Sequence, residues 1–186
     1  MIRDGETLGL LRDTVRRFVR ERLVPLEHAV AEQDAIPAEV AAERRALGLF
    51  GLAIPERYGG LGLTLEEECI VGIELAQASP AFRSLVGTNN GIGSQGILID
   101  GTDEQRDAYL PRLASGELIS AFALTEPESG SDAASLRTTA RRDGDHYVLD
   151  GTKRYITNAP EAGLFTVMAA LSLAQFRLLD RRVHYG

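Results

Sequence analysis

The sequence predicts an α+β chain in which an all-helical region precedes a short antiparallel β region. Three observations carry that prediction. Apolar residues recur at three- and four-residue steps up to about residue 116, capping signals bracket those stretches, and Asp-Gly pairs with β-branched and aromatic neighbours follow. Helices first and strands second point to two regions rather than alternating βαβ units.

Leu8, Leu11, Val15 and Phe18 lie on one face of a helix that ends near Pro25, with arginines and acids at the other positions. Pro37 opens a second helix and Gly48 closes it after Leu47. "AIPERYGGLGL" reads as a glycine-rich connector. Thr64 with Glu67 forms a capping box ahead of Cys69, Ile73 and Ala76, and Pro80 follows that helix. Thr102 with Gln105 repeats the pattern ahead of Tyr109, Leu110 and Leu113, and Gly116 ends the helix. Ile119 to Leu124 and Leu164 to Met168 read as strands, and Asp143-Gly144 and Asp150-Gly151 as hairpin turns. The expected division is a helical domain over 1–116, a partial β domain over 117–170 and an atypical tail over 171–186. In the tail, Leu171, Ala174 and Leu178 have helical spacing. There is no internal repeat.

Bulk properties exclude several classes. With 44% apolar residues in 186, a packed core is expected. A net charge of −7 argues against a nucleic-acid partner, which needs a concentrated basic surface. Cys69 is the only cysteine, so no internal disulfide forms; its apolar-periodic setting suggests a buried, inert thiol. The start lacks a signal-peptide stretch, and the longest near-apolar run, Leu164 to Ala174, falls short of the roughly 20 residues of a membrane span. The expectation is a soluble cytoplasmic protein.

"GIGSQG" (Gly91 to Gly96) matches the dinucleotide pattern G-x-G-x-x-G without the strand and βαβ unit that pattern needs, so close packing of a loop or helix surface is the better reading. His28, His146 and His184 have no metal-ligand spacing with one another or with Cys69. Ser129 and Ser131 have no histidine nearby and no G-x-S-x-G elbow, which disfavours a serine hydrolase. "FALTEPESGSD" (Phe122 to Asp132) gathers more requirements in one place. Phe122 and Leu124 offer apolar contact to a flat ring, Thr125 a hydroxyl or backbone donor, Gly130 a tight turn, and Ser131 a hydroxyl beyond it. "YITN" (Tyr155 to Asn158) again sets an aromatic beside a threonine. By composition alone, each is also consistent with a structural turn.

Taken in order and spacing, "IPERYGGLGL", "GIGSQGILIDGTDEQRDAYLPRLASGE", "FALTEPESGSD" and "DGTKRYITNA" resemble the acyl-CoA dehydrogenases over residues from about 5 to 168. That resemblance implies a helical N-terminal domain, a middle β domain and a C-terminal helical domain. It also implies an FAD cofactor, an acyl-CoA substrate, an electron-transfer flavoprotein as acceptor and a homo-oligomer. It places the stretch from Phe122 to Ser131 over the isoalloxazine. Phe122 stands where family enzymes often have tyrosine. Leu124, Thr125 and Gly130 belong to the flavin contact, Ser131 lies near the pantetheine, and Tyr155, Ile156 and Thr157 pack on the flavin. Leu85, Thr88 and Ile92 correspond to part of the acyl-chain pocket. In the family reaction a glutamate takes the α-proton and the flavin takes the β-hydride of an acyl-CoA thioester, with polar contacts stabilising the enolate-like charge.

The family's catalytic glutamate lies in the C-terminal domain, beyond residue 186, so none of the residues in this chain is expected to be the base. "LFTVMAA" is family-like and "LSLAQFRLLDRRVHYG" is not, which suggests a shifted or prematurely ended reading frame, or a divergent short paralogue. Three functions stay open: an acyl-CoA dehydrogenase, a non-catalytic truncated paralogue, and an acyl-CoA oxidase or flavin monooxygenase of the same fold.

Overall fold

A computed structural model describes residues 5–171. The expected helical spacing through Ala174 and Leu178, and His184, lie outside them. Helices α1 (Gly5–Phe18), α2 (Glu27–Gln33), α3 (Ala38–Ala46), α4 (Leu65–Leu75), α5 (Pro80–Asn90), α6 (Gln95–Asp100) and α7 (Asp103–Ser115) come first. Strands β1 (Ser120–Ala123), β2 (Thr139–Asp143), β3 (His146–Asp150), β4 (Leu164–Val167) and β5 (Ala170–Leu171) follow. The α+β class and its order are as the periodicity predicts.

Local chemistry explains the helix boundaries. In α1 the apolar stripe buries Leu8, Val15 and Phe18. The α-helical register gives way to a π turn over Val19–Leu23 and a 3₁₀ turn over Val24–Leu26, because Pro25 has no N–H to give and its ring displaces the carbonyl one turn back. α3 opens after Pro37 and stops at Gly48. Both capping boxes form: Thr64 accepts from Glu67 N while Thr64 N donates to Glu67 Oε2 at 2.8 Å, and Thr102 and Gln105 do the same.

The helices enclose two apolar clusters. Val15, Phe18, Val40, Val71 and Phe82 belong to the first; Ile54, Ile97, Leu110 and Leu113 belong to the second. Burying a leucine such as Leu110 or Leu113 stabilises by about 1.5–3 kcal/mol. Consecutive residues Leu118 and Ile119 enter different clusters, Leu118 the second and Ile119 the first, so β1 starts wedged between them.

Cys69 departs from its expected burial. It is exposed, together with Leu65 and Ile73 one helical turn to either side. α4 carries two apolar stripes at the same spacing, and the one that turns inward holds Val71 and Leu75. The sequence offers both stripes and does not say which one the neighbouring helices cover.

Strand pairing also departs from expectation. β2 and β3 form the expected antiparallel hairpin, closed by Gly144–Asp145 with Gly144 at φ +60. β1 and β4, however, pair in parallel (Ser120↔Leu164, Phe122↔Thr166), as do β2 and β5. Parallel pairs need long connections, and both pairs have them, so no tight turn dictates their direction. Leu171 is part of β5, not of a helix. Asp150-Gly151 ends β3 without making a second hairpin. A Cβ at Gly151 would overlap Thr138 Oγ1, so this glycine serves close approach to β2 rather than a turn.

"GIGSQG" joins α5 to α6, with Ser94 N donating to Gly91 O. A Cβ at Gly93 would overlap Ser120 Oγ, which is the close-packing role the sequence suggested. Arg44, in α3, is 1% exposed. Its Nη1 donates to Phe82 O at 3.1 Å, while Nε and Nη2 have no partner, and burial pushes its pKa down to about 10. Among the described residues no helix is long and apolar enough to cross a membrane.

Candidate functional site

The site begins with the anchoring of β1. Asn89, fully buried near the end of α5, accepts from Ser120 N (2.8 Å) and Ser120 Oγ (3.0 Å) and donates to Leu113 O (2.8 Å). One amide thereby ties the first residue of the strand to two helices. β1 carries Phe122, half-buried, and leads into Leu124 and Thr125. The chain then turns: Glu126 N donates to Ser129 O, Ser129 N donates to Glu126 O, and Ser129 Oγ donates to Asp132 O.

The second motif lies against this turn although it is far away in sequence. Arg154 N donates to Thr125 O at 2.8 Å. Lys153 Nζ donates to Leu124 O at 2.9 Å and to Glu126 Oε1 at 2.8 Å. Farther along, Asn158 Nδ2 donates to Ser120 O and Leu85 O. Between these two anchors the chain carries Tyr155 and Asn158 in the left-handed region (φ +58 and +67), where residues with a side chain are uncommon. The Tyr155 ring is 80% exposed, with the Arg154 guanidinium 4.9 Å from its centre.

Glu126 is the electrostatic centre of this arrangement. It is 5% exposed, and it accepts from Lys153, from the Thr138 hydroxyl and amide, and from Arg137 N. Lys153 first, then the Thr138 hydroxyl and the Arg137 amide, hold its pKa down to about 2.

Two sets of the expected site residues are thus neighbours: Phe122, Leu124 and Thr125 on one segment, Tyr155, Ile156 and Thr157 on the other. Gly130 and Ser131 are exposed beyond the turn. The turn closes between Glu126 and Ser129, and Gly130 adopts no left-handed conformation, so its expected role in tightening the turn is filled elsewhere. Leu85 is buried on α5 and meets the second motif through Asn158. Thr88 is half-buried, and its carbonyl accepts from Gly93 N. Ile92 lies past the end of α5, 54% exposed, rather than on the helix with Leu85 and Thr88.

A groove of about 720 Å³ lies between α2, α3, the start of α5 and the turn at Asn158 to Glu161. Leu85 lines it, and none of the residues expected at the flavin does. Among the described residues no group of three or more His, Cys, Asp or Glu could hold a metal ion.

Asn89, Glu126, Lys153 and Asn158 hold the site together, and the sequence reading gave none of them a role. Each lies inside or beside a motif that carried the resemblance. Their polarity gives no periodic signal, and their partners are distant in sequence.

Comparison with known proteins converges on one family. Residues 5–117 match the acyl-CoA dehydrogenase N-terminal domain and residues 121–182 the acyl-CoA dehydrogenase middle domain. The second match runs past residue 171, into the stretch that the sequence reading set apart as atypical. (2S)-methylsuccinyl-CoA dehydrogenase of Cereibacter sphaeroides is 42% identical over 90% of this chain and 31% of its own length. Glutaryl-CoA dehydrogenase of Mycobacterium smegmatis superposes with a TM-score of 0.84 at 38% identity, covering 92% of this chain and 44% of that one. Acyl-CoA dehydrogenase of Bacillus anthracis, solved with FAD, superposes with a TM-score of 0.82 at 37% identity, covering 90% and 29%. The chain spans about a third to just under half of the length of these proteins.

Proposed function

The chain belongs to the acyl-CoA dehydrogenase family, and from that premise we propose that β1, the turn after it and residues 153–158 form the flavin-facing part of an FAD-dependent enzyme. Its reaction is α,β-dehydrogenation of an acyl-CoA thioester. The observation that carries this reading is the convergence of Leu124–Glu126 with Lys153 and Arg154, which lead directly into Tyr155. The residues fit a flavin: Phe122 and Leu124 are half-buried apolar contacts, Thr125 is a polar neighbour, and the exposed Tyr155 ring stands on backbone of uncommon geometry. A bound FAD supplies the hydride acceptor. The residues of this chain bind and orient. With FAD bound, Thr125 and Thr157 would offer polar contacts to the ring system, Tyr155 would cover it, and Ser131 would lie near the pantetheine of the substrate. Leu85, Thr88 and Ile92 border the acyl chain.

We assign the general base to none of the acids beside this face. A base works best with a pKa near the operating pH, and Glu126 is held at about 2 by four donors. Asp132 accepts from the Ser135 hydroxyl of the 3₁₀ turn that follows, Ala133–Ser135. An electron-transfer flavoprotein as acceptor and a homo-oligomer belong to the same proposal.

Titrating the chain with FAD, followed by flavin absorbance and fluorescence, tests the reading. A saturable change, weakened by Thr125→Ala and Tyr155→Ala, is expected. Spectra identical to free FAD at every protein concentration would overturn it.

A further inference from the structure

Resting on the flavin reading above, we infer that the Glu126–Lys153 ion pair is a positioning clamp: it locks the turn that carries Thr125 to the segment that carries Tyr155 and Thr157, and so sets the affinity of the site for flavin. The two side chains are 3% and 12% exposed, and their charged atoms lie 2.8 Å apart. Burying an ion pair is a costly way to gain stability, because desolvation offsets most of the attraction and an apolar pair does as well. What such a pair supplies is direction. Lys153 Nζ reaches two acceptors on the first segment, Leu124 O and Glu126 Oε1. Glu126 in turn takes donors from Arg137 and Thr138 at the edge of β2. One carboxylate and one ammonium therefore fix three stretches of chain relative to one another.

The segment after Lys153 has particular need of this. Tyr155 and Asn158 both hold left-handed backbone, a conformation that persists where the surroundings over-determine it. Lys153 stakes one end of the segment and Asn158 the other, through Ser120 O and Leu85 O. Tyr155 and Thr157 stand exposed between the stakes. Without Lys153, Glu126 keeps its three donors from Arg137 and Thr138, just ahead of β2, and the turn stays in place. The Tyr155 segment would keep a single backbone bond to the turn, Arg154 N to Thr125 O. The loss would thus fall on the geometry between the two flavin-directed segments rather than on the fold.

The test compares the full chain with Lys153→Met, Lys153→Arg, the double variant Glu126→Gln/Lys153→Met and a control, Val71→Ala, which weakens the helical core at a buried α4 residue outside both segments. The double variant leaves no buried unpaired charge and covers the case in which Lys153→Met does not fold. FAD affinity is read by flavin fluorescence, and the exchange rates of the Arg154 and Tyr155 amides by NMR. Lys153→Met and the double variant are expected to weaken FAD binding by about tenfold or more and to speed exchange at both amides. Lys153→Arg should recover most of the affinity, and Val71→Ala should bind FAD like the parent despite its lower stability. Parental affinity in Lys153→Met or the double variant, or an equal loss in Val71→Ala, would overturn the inference. If the parent chain binds no FAD, the flavin reading fails, and the amides still decide the clamp. Faster exchange without Lys153 upholds the lock, and unchanged exchange refutes it.

Discussion

Replacing Asn89 by alanine should destabilise the chain by loosening β1 from the helices. Asn89 is fully buried and makes three bonds, two with Ser120 and one with Leu113 O. Truncation leaves Ser120 N–H and Ser120 O–H buried without their acceptor, while Leu113 C=O keeps the Gly116 amide. Each such group costs about 1–3 kcal/mol, so the pair costs about 2–6 kcal/mol. For a chain of this size, 1 kcal/mol shifts Tm by roughly 2–4 °C, so a fall of roughly 5–20 °C is expected. Thermal and urea unfolding of the parent and Asn89→Ala give the number. A double-mutant cycle with Ser120→Ala isolates the shared bond, and a coupling of about 0.5 kcal/mol or more is expected for residues in direct contact. A change under about 0.5 kcal/mol for Asn89→Ala, the range of ordinary surface substitutions, would refute the claim that this amide seats β1 on the helices.

Three further outcomes follow from the same structure. Arg44→Met removes two buried donor atoms that have no partner, and a thioether can take the place of the guanidinium over the Phe82 ring, so stability should rise by about 1–3 kcal/mol; a loss measured by urea unfolding would mean that the guanidinium is satisfied in solution. Glu126 has a folded pKa of about 2 against an ordinary 4.5, so its contribution is complete above about 4.5 and is lost as pH falls towards 2. Stability measured over that acid range should fall less steeply in Lys153→Met than in the parent, and equal slopes would contradict the assigned cause. Cys69 is exposed, so a thiol reagent should modify the native chain at a rate close to that of the unfolded one, and strong native protection would contradict the orientation of α4.

The helical half was legible because its signals are local. Thr64 with Glu67 and Thr102 with Gln105 mark helix starts within one turn of chain, and Gly48 and Gly116 mark the ends. Strand pairing was not legible beyond the β2–β3 hairpin. A two-residue turn announces its own partner, whereas nothing around Ile119 to Leu124 says that β4 will lie beside it in parallel. Cys69 was misplaced because α4 offers two equivalent stripes, and only tertiary packing selects between them. At the site, sequence pattern supplied the residues proposed to meet the flavin, such as Thr125 and Tyr155. It missed those that hold them. Glu126 and Lys153 look like surface charges until the fold brings them to 2.8 Å.

In the proposed function two segments act as one flavin-binding face, and amide chemical shifts recorded as FAD is added to the isotope-labelled chain test this most directly. The expected result is a set of perturbations that saturates together at Thr125, Tyr155 and Thr157, with α1 and the groove between α2 and α3 unmoved. Perturbations confined to that groove, or changes at Thr125 that titrate separately from those at Tyr155 and Thr157, would contradict it.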